Sequence, residues 1–145
     1  MPKNKIIIVD DQPMISVLMK EIIEESSSFE VVNTATTREE FLDLVSQHSY
    51  DIALVDISLG KRDGGLDILK TLKERNIPLT IVMISAHDEA YYGLKCLQLG
   101  AKGYINKEAI CNDLIRGLEA IVAGNLFVSG DNGKIILEEY QIGLS

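Results

Sequence analysis

Short apolar runs alternate along the chain with longer segments whose apolar residues recur every three or four positions, and that alternation predicts βαβ units around a parallel sheet. Five such pairs can be followed. Residues 5–9 read as the first strand and 14–25 as its helix, with Pro13 suited to a first turn and Ile15, Leu18 and Ile22 sharing a face. Residues 30–35 are the second strand. Thr37 and Glu40, spaced as a capping box, open the next helix, whose apolar stripe is Phe41, Leu42 and Val45. The third strand spans 50–55, a glycine-rich loop covers 60–65, and a helix over 66–73 stops before Asn76-Ile77-Pro78. The run 79–84 is the fourth strand, a helix over 89–99 ends on Gly100 as a left-handed cap, and 103–106 is a short fifth strand. Ile110, Leu114, Ile115, Leu118, Ile121 and Val122 then mark an amphipathic helix over 108–123, closed by Gly124.

Crossovers of one hand between five such units give a doubly wound, flavodoxin-like α/β fold, a five-stranded parallel sheet of order 2-1-3-4-5 flanked by five helices. Beyond Gly124 the pattern changes. Gly130-Asp131-Asn132-Gly133 is turn-rich, a helix-compatible stretch covers 134–141, and residues 125–145 read as a linker following a domain of residues 1–124.

Composition narrows the function classes. The 145 residues suffice for one domain with its own core, and 14 Lys plus Arg against 22 Asp plus Glu leave a net charge of -8, which opposes direct binding to a nucleic-acid backbone. The first eleven residues hold only four consecutive apolar positions, short of a signal peptide or a membrane span, so the expected compartment is the cytoplasm, with no membrane partner. Cys96 and Cys111 lack metal-ligand or redox spacing and are expected as packing thiols.

The candidate chemistry lies where the apolar runs end. Asp10 with Asp11, Asp56, Ser85 and Lys107 each follow such a run. Each has an ordinary reading alone: a helix-start charge, a turn serine, a solvated lysine. Four coincidences on one sheet edge point to function, because in the order 2-1-3-4-5 the first and third strands flank the switch point where ligands bind. Three convergent carboxylates repel, and a cation such as Mg²⁺ relieves them; Asp11 and Asp56 are the expected direct ligands, Asp10 a ligand through water, and the Ser58 carbonyl a third donor. Asp56, ending the central strand, is the expected nucleophile toward a phosphoryl donor, with the Lys107 ammonium and the Ser85 hydroxyl contacting phosphoryl oxygens and an acyl phosphate as product.

These residues resemble the receiver domain of bacterial two-component response regulators. The matching motifs are Val9-Asp10-Asp11, Ala53-Leu54-Val55-Asp56, Ile84-Ser85-Ala86 and Gly103-Tyr104-Ile105-Asn106-Lys107, within a resemblance that covers about residues 5–123. It implies a regulatory phosphoacceptor rather than an enzyme, one that promotes its own phosphorylation and dephosphorylation. Asp56 would take phosphate from a sensor histidine kinase, and Ser85 with the switch aromatic Tyr104 would carry the change to the face of helix four, strand five and helix five. The loop after Asp56 lacks the proline common in receivers and is one residue longer, and Lys107 precedes Glu108 where many receivers have proline. Lys107-Glu108, Gln12-Pro13 and Ala123-Gly124-Asn125 resemble the NarL/LuxR-type transcriptional regulators, so the expected output is DNA binding through a C-terminal helix-turn-helix domain absent from this chain. A stand-alone phosphorelay receiver and a small aspartyl-phosphate phosphohydrolase remain as alternatives, although the acid that such a hydrolase uses two residues after its nucleophile is Ser58 here. A flavin or nucleotide binder ranks lower, since no phosphate-cradling glycine motif follows the first strand. His87 is expected near the site mouth, and the apolar surplus Tyr91, Tyr92, Leu94, Cys96 and Leu97 on helix four leaves a homodimer open.

Overall fold

Every strand of the central sheet ends on the same edge, because each connection crosses back over a face before the next parallel strand begins. The computed structural model describes residues 2–144; Met1 and Ser145, the outer limits of the expected 1–124 and 125–145 division, lie outside the described residues. The strands are β1 (Asn4–Val9), β2 (Phe29–Ala35), β3 (Ile52–Asp56), β4 (Thr80–Ser85), β5 (Gly103–Asn106) and β6 (Phe127–Val128), in the order β2-β1-β3-β4-β5-β6. The helices are α1 (Pro13–Glu24), α2 (Arg38–Gln47), α3 (Gly64–Glu74), α4 (Glu89–Gln98), α5 (Ile110–Val122) and α6 (Gly133–Leu144), and a 3-10 turn over Lys107–Ala109 precedes α5.

The expected five strands and five helices are therefore corrected to six of each among the described residues, within the same parallel α/β class. The added strand is β6, whose Phe127 and Val128 pair with Gly103 and Tyr104 along the open edge of β5. Phe127 N donates to Lys102 O at 3.1 Å and Ser129 N to Tyr104 O at 2.9 Å, so the edge is covered and two large side chains are buried. Two residues are too few to show a period.

Local signals act much as the sequence suggests. Pro13 occupies the first turn of α1. Thr37 Oγ1 accepts from Glu40 N at 3.1 Å, while Glu40 Oε1 accepts from Thr36 N at 2.7 Å, one residue outside the cap. Gly100 (φ 105°) and Gly124 (φ 96°) supply the left-handed turns that end α4 and α5. All peptide bonds among the described residues, Lys107–Glu108 included, are trans.

The sheet is covered on both faces, which explains its unbroken apolar runs. Ile7, Val9, Ala53, Val55, Ile81, Met83 and Tyr104 belong to the core shared with α2, α3, α4 and α6. Their strand neighbours Ile6, Ile8, Ile52, Leu54, Val82, Ile84 and Ile105 pack with α1 and α5 on the opposite face. Cys96 is buried in the first core, where desolvation pushes its thiol up to about 12; Cys111, expected as a packing thiol, is exposed on α5. No helix among the described residues is long and apolar enough to cross a membrane.

The segment 125–145, expected as linker, holds β6 and α6 against this body. Ile136 is buried on the α4 side, with Leu137 and Tyr140 half-buried beside it. The turn into α6 is pinned by buried polar groups. Ser129 Oγ accepts from Asn106 N at 2.9 Å and donates to Glu89 Oε2 at 2.6 Å, and Gly130 N donates to Asp113 Oδ2 at 3.1 Å. Ser129→Ala would leave a buried carboxylate and a buried N–H without that partner, so it lowers the unfolding free energy by about 2 kcal/mol. Urea unfolding of the two proteins checks this, and equal midpoints and slopes would show that the hydroxyl is dispensable.

Candidate functional site

The register of the sheet brings the four strand-end groups together. Val9 pairs with Val55, so Asp10 and Asp56 leave adjacent strands at the same level; Asp56 pairs with Ile84 and Ser85 with Asn106, so Ser85 and Lys107 follow one step further along. One carboxylate oxygen from each of Asp10, Asp11 and Asp56 lies within 4.8 Å of the other two. Lys107 Nζ is 3.5 Å from both Asp10 Oδ2 and Asp56 Oδ1, and it also donates to Gln12 Oε1. Gly65 fits beneath Asp56 for want of a side chain, since a Cβ there would lie 2.2 Å from the Asp56 carbonyl oxygen.

The acids differ in depth. Asp10 and Asp56 are 0% and 2% exposed, whereas Asp11 is exposed. Asp10 Oδ1 accepts from Gln12 N at 2.7 Å, and its buried Oδ2 has no hydrogen-bond donor. Burial, opposed by the Gln12 N–H and reinforced by the nearby Asp56 charge, pushes Asp10 up to about 6. Burial also raises Asp56, against the pull of Lys107 and of Ser58 N, which donates to Asp56 Oδ1 at 3.1 Å. Gly60 N reaches Asp11 Oδ2 at 3.3 Å and so ties the loop after Asp56 to the acidic pair.

Such a site suits a hard divalent cation. The donors are all oxygens, two charges are held out of water, and the bare Asp10 Oδ2 is an acceptor that the protein does not satisfy. The residues able to hold Mg²⁺ are Asp10, Asp11 and Asp56, with the half-buried Ser58 on the same loop.

The other two expected side chains meet at His87. Ser85 Oγ accepts from His87 N at 2.9 Å, and the fully buried Tyr104 donates its hydroxyl to His87 O at 2.6 Å. Asn106 Nδ2 donates to the same carbonyl at 3.1 Å. Burial drives the Tyr104 phenol far above its usual range, so it stays a neutral donor. Gln12 and Asn106 were not among the expected site residues. Their signal is adjacency alone, Gln12 following the acidic pair and Asn106 preceding the lysine.

Comparisons with known proteins agree with this geometry. Residues 6–119 match the family described as the response regulator receiver domain. A putative transcriptional regulator from Pseudomonas aeruginosa is 30% identical over 121 residues, covering 83% of this chain and 58% of that one. The transcriptional regulatory protein DegU of Brevibacillus brevis is 27% identical over 139 residues, covering 96% and 58%. The chain thus spans about six-tenths of the length of these curated relatives. Among solved structures, a LuxR-family two-component response regulator from Aurantimonas sp. SI85-9A1 superposes with a TM-score of 0.81 at 25% identity, covering 99% of each chain. The receiver domain of a putative response regulator NarL from Mycobacterium tuberculosis gives 0.77 at 26% identity, covering 86% of this chain and all of that one.

The raised Asp10 sets a pH dependence of stability. Its folded form holds a proton to about pH 6 and its unfolded form only to 3.8, so the stabilisation from protonated Asp10 is complete below the lower value and lost as pH rises through the upper one. In metal-free buffer the parent should lose on the order of 3 kcal/mol relative to Asp10→Asn between about pH 4 and pH 7. Mg²⁺ at neutral pH should then restore the parent and leave the variant nearly unchanged. Unfolding curves across that range test this, and parallel stability profiles with no response to Mg²⁺ would contradict it.

Proposed function

The chain belongs to the response regulator receiver domain family, and on that premise we propose that Asp56 is its phosphoacceptor, charged by a sensor histidine kinase with Mg²⁺ in the acidic pocket. The observation that carries the assignment is the buried Asp56 carboxylate at the sheet edge, 3.5 Å from Lys107 and grouped with Asp10 and Asp11. As members of this family, domains of this kind act as phosphorylation-controlled signalling switches.

In the proposed step an Asp56 carboxylate oxygen attacks phosphorus. The new O–P bond forms as the bond from phosphorus to the donor's leaving nitrogen or oxygen breaks, and the leaving group keeps the electron pair. Asp10, Asp11, Asp56 and the Ser58 carbonyl would hold Mg²⁺, which would supply neutralising charge for phosphoryl oxygens. Lys107 supplies the opposing positive charge. Ser85 would donate its hydroxyl proton to a third oxygen, a role its Oγ can fill while accepting from the N–H of His87. Because Tyr104 and Asn106 hold the carbonyl of His87, moving that residue shifts the equilibrium between two arrangements of the β4–α4 connection.

The wider role is proposed on the same basis. The relatives are transcriptional regulators by name, and this favours a longer protein in which residues 1–124 receive the signal, residues 125–145 lead to a DNA-binding domain, and phosphorylation promotes a homodimer. It also favours a regulator over the phosphohydrolase alternative, with the cytoplasm as the compartment and DNA contact through that further domain alone.

Incubation with Mg²⁺ and a small acyl-phosphate donor should add one phosphoryl group by intact mass, and Asp56→Ala should abolish the addition. Labelling that persists in the variant would move the phosphoacceptor elsewhere. A parent that stays unlabelled with both donor and kinase would remove the proposal.

A further inference from the structure

We propose that Tyr92 and Asp63 are positioning residues for the phosphoacceptor site, fastening the loop of residues 57–63 to the first turn of α4 through the Tyr92 hydroxyl. This rests on the receiver reading above and adds a second route between α4 and Asp56.

The loop begins directly after Asp56, carries Ser58, and returns Gly60 N to Asp11 Oδ2. It lacks a stiffening proline, and Gly60 has φ 71°. Its own turns are local: Lys61 N donates to Leu59 O at 2.8 Å and Gly64 N to Lys61 O at 3.1 Å. The first half of the loop is anchored, since Ile57 N donates to Ile84 O at 2.9 Å and Ile57 and Leu59 are buried, whereas these bonds tie residues 61–63 to nothing beyond the loop and α3. Asp63 occupies the N-cap position of α3, where an aspartate ordinarily accepts a backbone N–H, yet its side chain makes no cap bond. It accepts instead from Tyr92 OH at 2.6 Å, across 29 residues of sequence. The adjacent Arg62 Nη2 donates to Tyr91 OH at 3.1 Å, so two consecutive loop residues hold two consecutive residues of α4.

The Tyr92 end is packed. The ring is buried, and its hydroxyl would lose a charged acceptor if Asp63 withdrew. Its edge meets His87 at 5.3 Å between centroids and 68° between planes, and Tyr91 stacks on His87 at 5.4 Å and 23°. His87 is the residue whose N–H holds Ser85 and whose carbonyl holds Tyr104. The first turn of α4 therefore grips both flanks of Asp56. One flank is the switch hydroxyl, and the other is the loop bearing the Ser58 carbonyl and the Gly60 N–H. Since coupling is reciprocal, filling the acidic pocket must also restrain α4 through Tyr92.

The test compares the parent with Tyr92→Phe, Asp63→Ala, the double variant and Asp63→Asn. Mg²⁺ affinity is followed by NMR titration, and amide hydrogen exchange of residues 57–63 is measured without metal. Loss of a hydrogen bond to a charged acceptor should weaken Mg²⁺ binding and speed loop exchange by about tenfold in Tyr92→Phe and in Asp63→Ala, with the double variant no worse than either. Asp63→Asn, which keeps an acceptor oxygen, should recover most of the loss. Ile23→Val, a core change on the opposite face of the sheet, should leave both readouts as in the parent. Parent-like exchange and Mg²⁺ affinity in Tyr92→Phe, or equal losses in Ile23→Val, would overturn the clamp. Failure of the parent to label on Asp56 would instead remove the phosphoacceptor reading, and the exchange data would still decide the clamp.

Discussion

Two carboxylates held out of water beside one ammonium group are the constraint around which this domain is arranged. At the 4.8 Å limit that separates the acidic oxygens, two full charges repel by roughly 3 kcal/mol at an effective dielectric near 20. Lys107 relieves part of that repulsion from 3.5 Å, and the protein leaves Asp10 Oδ2 without a donor. The fold is thus stable around a pocket that is electrostatically incomplete. A cation bound among these oxygens would relieve the repulsion that Lys107 leaves.

The parallel sheet makes the incompleteness tolerable. Both faces are covered, so the middles of β1, β3 and β4 are apolar and the buried polar side chains Asp10, Asp56 and Ser85 appear at their common carboxyl edge. The same edge holds the start of every connection, so the loops after β3 and β4 and the 3-10 turn after β5 are free to differ while the strands beneath stay fixed. On that edge the N–H and carbonyl of His87 join Ser85 at the end of β4 to Tyr104 and Asn106 on β5, just before α4 begins.

Legibility followed the same division. Asp10, Asp56, Ser85 and Lys107 were readable because each ends an apolar run, and a parallel order sends all such ends to one place. Depth was not readable: sequence adjacency makes Asp10 and Asp11 equivalent, whereas the end of β1 buries the first and exposes the second. Sequence reasoning made Asp11 and Asp56 direct ligands and Asp10 a ligand through water, and nothing in the pattern announced the bare oxygen on Asp10. The sixth strand escaped for a different reason. Phe127 and Val128 acquire meaning only from the open edge of β5, and the buried Glu89–Ser129 bond joins groups 40 residues apart. Cys111 was misplaced because a helix position alone does not say which side of α5 meets solvent.

Residues 125–144 change how the output face is understood. With Ile136 buried on the α4 side and Ser129 bonded to Glu89 at the start of α4, the segment leaving the domain is packed on the helix whose first turn holds His87 and the Asp63 loop. Any rearrangement of that turn must either carry β6 and α6 with it or break buried polar bonds, and breaking them costs several times the thermal energy. Because Ser129 is bonded to Tyr104 and Asn106 on β5 as well as to Glu89, moving β6 also costs bonds to the sheet, and Ser129 ties the first turn of α4 to the β5 edge. One buried hydroxyl thus joins the start of α4, the last strands of the sheet and the turn into α6.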